Sequence, residues 1–311
     1  MGKLALVFAG QGSQYSGMGQ DFVEHNTDLL KLEQQANQLL GYRTKDIVFD
    51  EHLLNQTRYT QPLLVLTSIY AFETLSKLGI TPKGLLGFSL GEYSALYAAG
   101  IFTFEEIINL IKKRAEVMDD QANHQQGKMA AILGLDKDRV ENLIIDINDL
   151  VYVANYNSPL QTVISGSEHA VDLALEKAKQ LGAKRAVKLN VSGAFHSPLM
   201  KDASLIFKEY LDVFQPKQPG IDVYLNTTAK PLTINQLKNE MINQMVLPVR
   251  FVESILQMKK DGFTHFIEVG PGTVLSGLIK KIDMDLEVTH IGNLTDIENV
   301  KGWLIEHGFI K

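Results

Sequence analysis

The 311-residue chain contains no cysteine, which excludes disulfides, thiol nucleophiles and cysteine-ligated metals. That absence suits a reducing cytoplasm, where the protein is expected to work. Long apolar runs are also missing, so no membrane span is expected. The run Leu4 to Ala9 is too short for a signal sequence and lacks a cleavage region. Leu6 stands where a myristoylation signal needs Ser or Thr. Positive charge is scarce, with 30 Lys and Arg against 36 Asp and Glu for a net charge of −6. This argues against general nucleic-acid binding and leaves room for a local basic patch. What is present, 45% hydrophobic and 21% charged residues, describes a globular chain with material for one large core and a smaller one.

The stretch Leu85-Leu86-Gly87-Phe88-Ser89-Leu90-Gly91-Glu92 organises the rest. An apolar run stops at a glycine-flanked serine and a small-residue helix follows, the G-x-S-x-G spacing of a nucleophile elbow. In such a turn the Ser89 hydroxyl is exposed at the head of a helix. The Leu90 N–H, without a partner inside that helix, would face a developing oxyanion. The same five residues also fit a plain turn.

Leu4 to Ala9 reads as a buried parallel strand ending in the tight loop Gly10-Gln11-Gly12-Ser13-Gln14. Tyr15 stands where a dinucleotide fingerprint needs Gly or Ala, so the competing reading is a loop of backbone donors beside Ser89. Thr60-Gln61-Pro62 is expected to open a helix through about Leu78, with Pro62 in its first turn. Lys83 to Phe88 is then the second strand, and Leu90 to Ala99 the helix after the elbow, closed by Gly100. This order points to a parallel sheet covered on both faces.

From Lys128 the pattern changes to strand, helix, strand, strand, helix, strand. The strands are expected at Lys128 to Leu133, Val151 to Ala154, Thr162 to Ser165 and Ala186 to Leu189. That is the split βαβ order of a ferredoxin-like (βαββαβ) unit, preceded by a polar linker, Ala122 to Gly127. We expect an inserted subdomain over residues 127–195, walling a cleft against a large domain built from residues 1–126 and 196–311. Ile221 to Leu225, Thr264 to Val269 and Leu286 to Ile291 supply further strands of the large domain. The turn Gly270-Pro271-Gly272-Thr273 fits a phosphate cradle or a bare strand-to-helix turn.

Two side chains stand out beyond the elbow. Thr103 and Glu106 have capping-box spacing, and the helix from about Phe104 to Gln121 carries Ile107, Leu110, Ile111, Val117 and Met118 on one face. Arg114 falls in the middle of that apolar face. A buried guanidinium needs an anionic partner, either a protein carboxylate or the carboxylate of a ligand. His196 lies in a loop ahead of Ser197-Pro198, a helix start whose dipole would favour the neutral imidazole. Of the eight histidines it is the best candidate base. His265 and His290 sit among apolar residues and read as core histidines.

With these residues located, the chain resembles the malonyl-CoA:acyl carrier protein transacylases of type II fatty-acid synthesis, and more broadly the acyltransferase domains of fatty-acid and polyketide synthases. The resemblance spans essentially the whole length. It rests on Phe8-Ala9-Gly10-Gln11-Gly12-Ser13-Gln14, Tyr59-Thr60-Gln61-Pro62, Gly87 to Ala95, Arg114, Asn155-Tyr156-Asn157-Ser158-Pro159, Phe195-His196-Ser197 and Phe266 to Gly272. It implies a hydrolase-like α/β domain with an inserted ferredoxin-like subdomain. It further implies that Ser89 is acylated and His196 is the base, with the Gln11 and Leu90 N–H groups forming the oxyanion hole. Arg114 would pair with the malonyl carboxylate, and a backbone carbonyl at Arg250 would orient His196. Phe195 resembles malonyl-selective members, and Phe88 stands where many relatives have His.

The implied activity is malonyl transfer from malonyl-CoA to the phosphopantetheine thiol of holo acyl carrier protein, supplying fatty-acid synthesis. No cofactor or metal is expected beyond these substrates, nor any nucleic-acid or membrane partner, and the chain is expected to be a monomer. An acidic carrier protein would favour a basic patch by the cleft, at Lys184, Arg185 and Lys188 or at Lys280 and Lys281. The alternatives are a serine thioesterase or esterase of the α/β-hydrolase class, or a non-catalytic docking protein for acyl carrier protein. No loop acid ahead of His196 stands out to complete a hydrolase triad.

Overall fold

The computed structural model describes residues 2–311. Its strands are β1 (Lys3–Phe8), β2 (Gly84–Gly87), β3 (Lys128–Leu133), β4 (Val151–Ser158), β5 (Gln161–Gly166), β6 (Arg185–Lys188), β7 (Asp222–Tyr224), β8 (Phe263–Val269) and β9 (Glu287–Ile291). A five-stranded sheet has the order β7-β2-β1-β8-β9, parallel throughout. A four-stranded antiparallel sheet has the order β4-β5-β3-β6, the ferredoxin-like arrangement.

The centre of the parallel sheet, β1 and β2, is buried because these strands are apolar on both faces, while the edge strand β9 is partly exposed. Successive β1 residues alternate between two cores. Leu4, Leu6 and Phe8 join the larger one, built on the Thr57–Ser76 and Phe104–His124 helices. Ala5 and Val7 join the smaller one, with Phe251, Ile255 and Leu278 from the opposite side. The strand ends Phe8, Gly87 and Val269 therefore open together at one edge, where ligands bind in such sheets.

Several boundaries differ from expectation. The Thr57–Ser76 helix begins before Thr60, so Pro62 lies inside it rather than in the first turn. Its start lacks a sequence signature because the N-cap, Gln56, makes no side-chain bond. The Phe104–His124 helix has its capping box but runs past Gln121, taking in the first residues of the polar linker and burying Ala122. Strand β4 continues through Asn155 and Asn157 to Ser158. Here the small sheet is stitched to the large domain: the Val249 N–H donates to the Ala154 carbonyl at 2.8 Å, and the Tyr156 N–H to the Val249 carbonyl at 2.9 Å. His265 and His290 are not core residues; both are partly exposed, His265 against Trp303, His307 and Phe309 and His290 with Asp296 3.8 Å away.

The glycine turn after β8 holds no vacant anion cradle. Glu268 is buried and accepts from the Leu275 N–H (2.9 Å), the Ser276 N–H (2.7 Å) and the Ser276 hydroxyl (2.7 Å). The chain's own carboxylate fills the helix N-terminus that a phosphate would use.

Steric necessity fixes both elbow glycines. A Cβ on Gly87 would lie 1.9 Å from the Glu92 nitrogen, and one on Gly91 would lie 2.3 Å from the Phe8 carbonyl oxygen. Backbone cannot yield there as a flexible side chain would. Gly91→Ala is therefore expected to lower the unfolding free energy by ~2–3 kcal/mol, read by urea denaturation. An unchanged midpoint would contradict this packing account.

Candidate active site

Ser89 follows β2 at φ 53°, a left-handed conformation that serine adopts only when its surroundings impose it. Its Oγ is 2.7 Å from His196 Nε2. His196 also has positive φ, 56°, in the buried loop Ala194 to Ser197. A 2.6 Å bond from the Ser197 hydroxyl to the Ala194 carbonyl closes that loop. His196 Nδ1 is 2.7 Å from the Gln244 carbonyl oxygen. A carbonyl only accepts, so Nδ1 carries the proton and the Nε2 lone pair faces the serine hydroxyl. This is the tautomer a general base needs.

The orienting carbonyl belongs to Gln244, not Arg250 as the resemblance implied. Gln244 is the C-cap of the Leu237–Asn243 helix, where carbonyls lack intrahelical partners and are free for the imidazole. Arg250 instead caps the start of the Phe251–Lys260 helix. Its carbonyl accepts from the Ser254 N–H and the Ser254 hydroxyl, both at 2.9 Å. Its side chain pairs with Glu253.

Arg114 is 1% exposed. Its Nη1 donates to Gln61 Oε1 at 2.6 Å and its Nη2 to Gln244 Oε1 at 3.1 Å, while the guanidinium carbon sits 5.4 Å from the centre of the Tyr93 ring. Neither glutamine bears charge, and Arg114 Nε has no acceptor among the described residues. The expected anionic partner is thus not a protein carboxylate within bonding reach. Glu92, buried beneath the elbow, is the acid whose charge Arg114 feels. Burial pushes the Glu92 carboxyl up to about 7, against the opposing Asn226 N–H and Arg114 charge.

His196 is held down to about 4, first by burial and then by the positive charge of Arg114. The neutral base is thus secured by desolvation and a neighbouring cation. The expected helix dipole is a poor source, because the chain after His196 opens as the short 3₁₀ turn Pro198–Met200.

A cavity of about 370 Å³ joins these groups. Gln11, Ser89, Arg114 and His196 line it from the large-domain side, Phe195 from the junction of the two, and Met129, Asn155 and Val163 from the small sheet. Phe88 also lines it, with its ring edge-on to Phe251 at 5.3 Å. Neither the Gln11 nor the Leu90 N–H donates to an acceptor in the hydrogen bonds of the described residues. Both amides are available to an oxyanion. The candidate basic patches are partly neutralised: Lys188 pairs with Glu168 and Asp172, and Lys280 lies 3.9 Å from Glu287.

Gln61 and Glu92 appear in the sequence only as parts of motifs, with no role of their own, and Asn226 and Gln244 do not stand out in it. Gln61 and Glu92 carried the signal that singled out Arg114, a polar residue in an otherwise apolar or small-residue helix. Gln244 and Asn226 act through bonds set by tertiary contacts and carried no comparable sign.

An NMR titration of His196 should find the imidazole neutral at pH 6 and gaining its proton only near pH 4. A midpoint at the ordinary value of 6.5 would contradict the burial and the Arg114 field.

An acyl transferase domain model matches residues 5–292. The chain is 42% identical over 304 residues to the malonyl CoA-acyl carrier protein transacylase of Bacillus subtilis, covering 96% of each chain. It is 39% identical over 309 residues to that of Staphylococcus aureus, covering 97% of this chain and 99% of the relative. Among solved structures, MCAT from Streptococcus pneumoniae superposes with a TM-score of 0.92 at 38% identity, covering 97% of this chain and all of that one. A malonyl-transacylase in complex with its type II PKS acyl-carrier protein superposes with a TM-score of 0.93 at 32% identity, covering 96% of this chain and 99% of that one. In sequence and fold alike, the chain belongs to the acyl transferase domain family, among its malonyl CoA-acyl carrier protein transacylases, and is an acyltransferase.

Proposed function

We propose that Ser89 carries the malonyl group while this acyltransferase moves it from malonyl-CoA to the phosphopantetheine thiol of holo acyl carrier protein, supplying fatty-acid synthesis. The observation that carries the reading is one cavity holding a serine 2.7 Å from a neutral histidine together with a buried, incompletely bonded Arg114. Ser89 Oγ attacks the thioester carbonyl as its proton passes to His196 Nε2. The Gln11 and Leu90 N–H groups stabilise the oxyanion, each contributing about 10²–10³-fold in rate. The C–S bond breaks, and the departing CoA sulfur takes the proton back from His196. The carrier thiol then gives its proton to His196 and attacks the malonyl-serine ester, and Ser89 regains its proton as the ester bond breaks.

Arg114 supplies selectivity. A malonyl carboxylate completes the guanidinium's bonds, whereas an acetyl group leaves the buried cation unpaired. Phe195, 5% exposed beside His196, narrows the room for an α-substituent. Action as a monomer in a cytoplasmic setting is part of the proposal, and the lack of cysteine is compatible with that setting. No described helix is long and apolar enough to cross a membrane.

Arg114→Ala is expected to lower the acylation efficiency of malonyl-CoA by about 10²–10³-fold, the scale of breaking a buried charge pair. The preference for malonyl-CoA over acetyl-CoA should shrink with it, measured by stopped-flow acylation of both. A variant that discriminates as well as the parent would end the clamp assignment. Hydrolysis of malonyl-CoA as fast as transfer to holo acyl carrier protein would mark the enzyme as a thioesterase instead.

A further inference from the structure

Among the named strands β7 pairs with β2, and that ladder ends at Tyr224 opposite Leu86. On that side the elbow backbone continues without a strand partner. The side chain of Asn226 takes over. Its Nδ2 donates to the Gly87 carbonyl at 2.6 Å, and its Oδ1 accepts from the Ser89 N–H at 2.7 Å. One primary amide thereby supplies the donor and the acceptor that a neighbouring peptide would have offered. Asn226 is itself fixed at both ends. Its N–H donates to Glu92 Oε2 at 2.9 Å, and its carbonyl accepts from the Arg250 N–H at 2.9 Å. It is 1% exposed and does not line the substrate cavity.

This clamp decides what the elbow presents. With its N–H consumed by Asn226, Ser89 keeps a φ of 53° that the serine would not hold alone. On the other flank, the Ser89 carbonyl accepts from Gln244 Nε2 at 2.9 Å and from the Glu92 N–H at 3.1 Å. In a trans peptide the next N–H points opposite that carbonyl, so the Leu90 N–H is turned away from Gln244. We infer that Asn226 is a positioning residue of the acyl transfer: its side-chain amide, anchored by Glu92 and the Arg250 N–H, holds the Ser89 turn so that Oγ meets His196 and the Leu90 N–H meets the oxyanion. The inference rests on Ser89 being the nucleophile.

The pattern of one donor and one acceptor gives a test that a general loss of stability cannot imitate. A carboxylic acid at position 226 reproduces the pattern when protonated and loses the donor when ionised. The charged groups around the position are Glu92, Glu240 and Arg114, with the Arg250 side chain turned to Glu253. Burial beside Glu92 makes such an acid hold its proton to a higher pH than an exposed aspartate.

The experiment measures the single-turnover acylation rate and malonyl-CoA affinity for wild type, Asn226→Ala and Asn226→Asp from pH 8 to pH 6, with thermal melting alongside. Asn226→Ala is expected to acylate about 10²-fold more slowly with affinity within threefold of wild type, since a small misplacement of a reacting atom costs that much. The rate of Asn226→Asp relative to wild type should rise as the pH falls, while the relative rate of Asn226→Ala stays flat. If the alanine variant does not fold, the pH dependence of the aspartate variant decides. A folded alanine variant acylating within threefold of wild type, an effect confined to affinity, or a flat relative rate for the aspartate variant would overturn the inference. Absence of any acyl group on Ser89 in the wild type would instead refute the nucleophile assignment on which it rests.

Discussion

Arg114 brings a full positive charge into the protein interior at 1% exposure, and two neutral glutamine carbonyls and the face of Tyr93 are what hold it. Removing a guanidinium from water with no carboxylate in bonding contact costs several kcal/mol, and the protein bears this cost beside its cavity, with Glu92 as the nearby acid whose charge it feels. Burial first and this charge second keep His196 unprotonated, and the charge, after the Asn226 N–H, draws down the Glu92 carboxyl that burial pushes up. A substrate carrying its own carboxylate relieves the imbalance. In the proposed reaction the neutral base and the substrate choice thus draw in part on one charge, which burial leaves only partly screened.

Gln244 ties these parts together. Its backbone carbonyl sets the His196 tautomer, its side-chain oxygen accepts from Arg114 and its side-chain nitrogen donates to the Ser89 carbonyl. That arrangement depends on the end of a short helix, where a carbonyl is left over from the helical pattern. A carbonyl in the third position orients the imidazole without the full negative charge of a hydrolase acid. The elbow beneath obeys a harder constraint. Its glycines are fixed by contacts under 2.5 Å that any Cβ would make with backbone at Gly87 and Gly91.

Much of this was legible in the chain. The apolar run of β1, the βαββαβ order after Lys128, the capping box at Thr103 and the glycine-flanked Ser89 are local patterns set by backbone geometry, and the expected elements formed there, with β4 running on to Ser158. Arg114 announced itself by sitting on an apolar face. What stayed hidden was long-range. Which carbonyl meets His196 depends on how the segment before Pro248 folds back over the elbow, and the family resemblance put it at Arg250 in place of Gln244. Asn226 looked like an ordinary residue after a strand, because its importance lies in what β7 fails to reach. Pro62 misled in the other direction, a good first-turn residue placed inside a helix that tertiary packing extends.

In the proposed reaction every malonyl group passes through Ser89. Intact-mass measurement of the enzyme mixed with malonyl-CoA, followed by holo acyl carrier protein, tests this directly. It predicts a mass gain of one malonyl group, mapped to the peptide containing Ser89, absent from Ser89→Ala and transferred to the carrier when the carrier is added. No adduct, an adduct that survives Ser89→Ala, or loss of the group to water at the same rate without the carrier would contradict it.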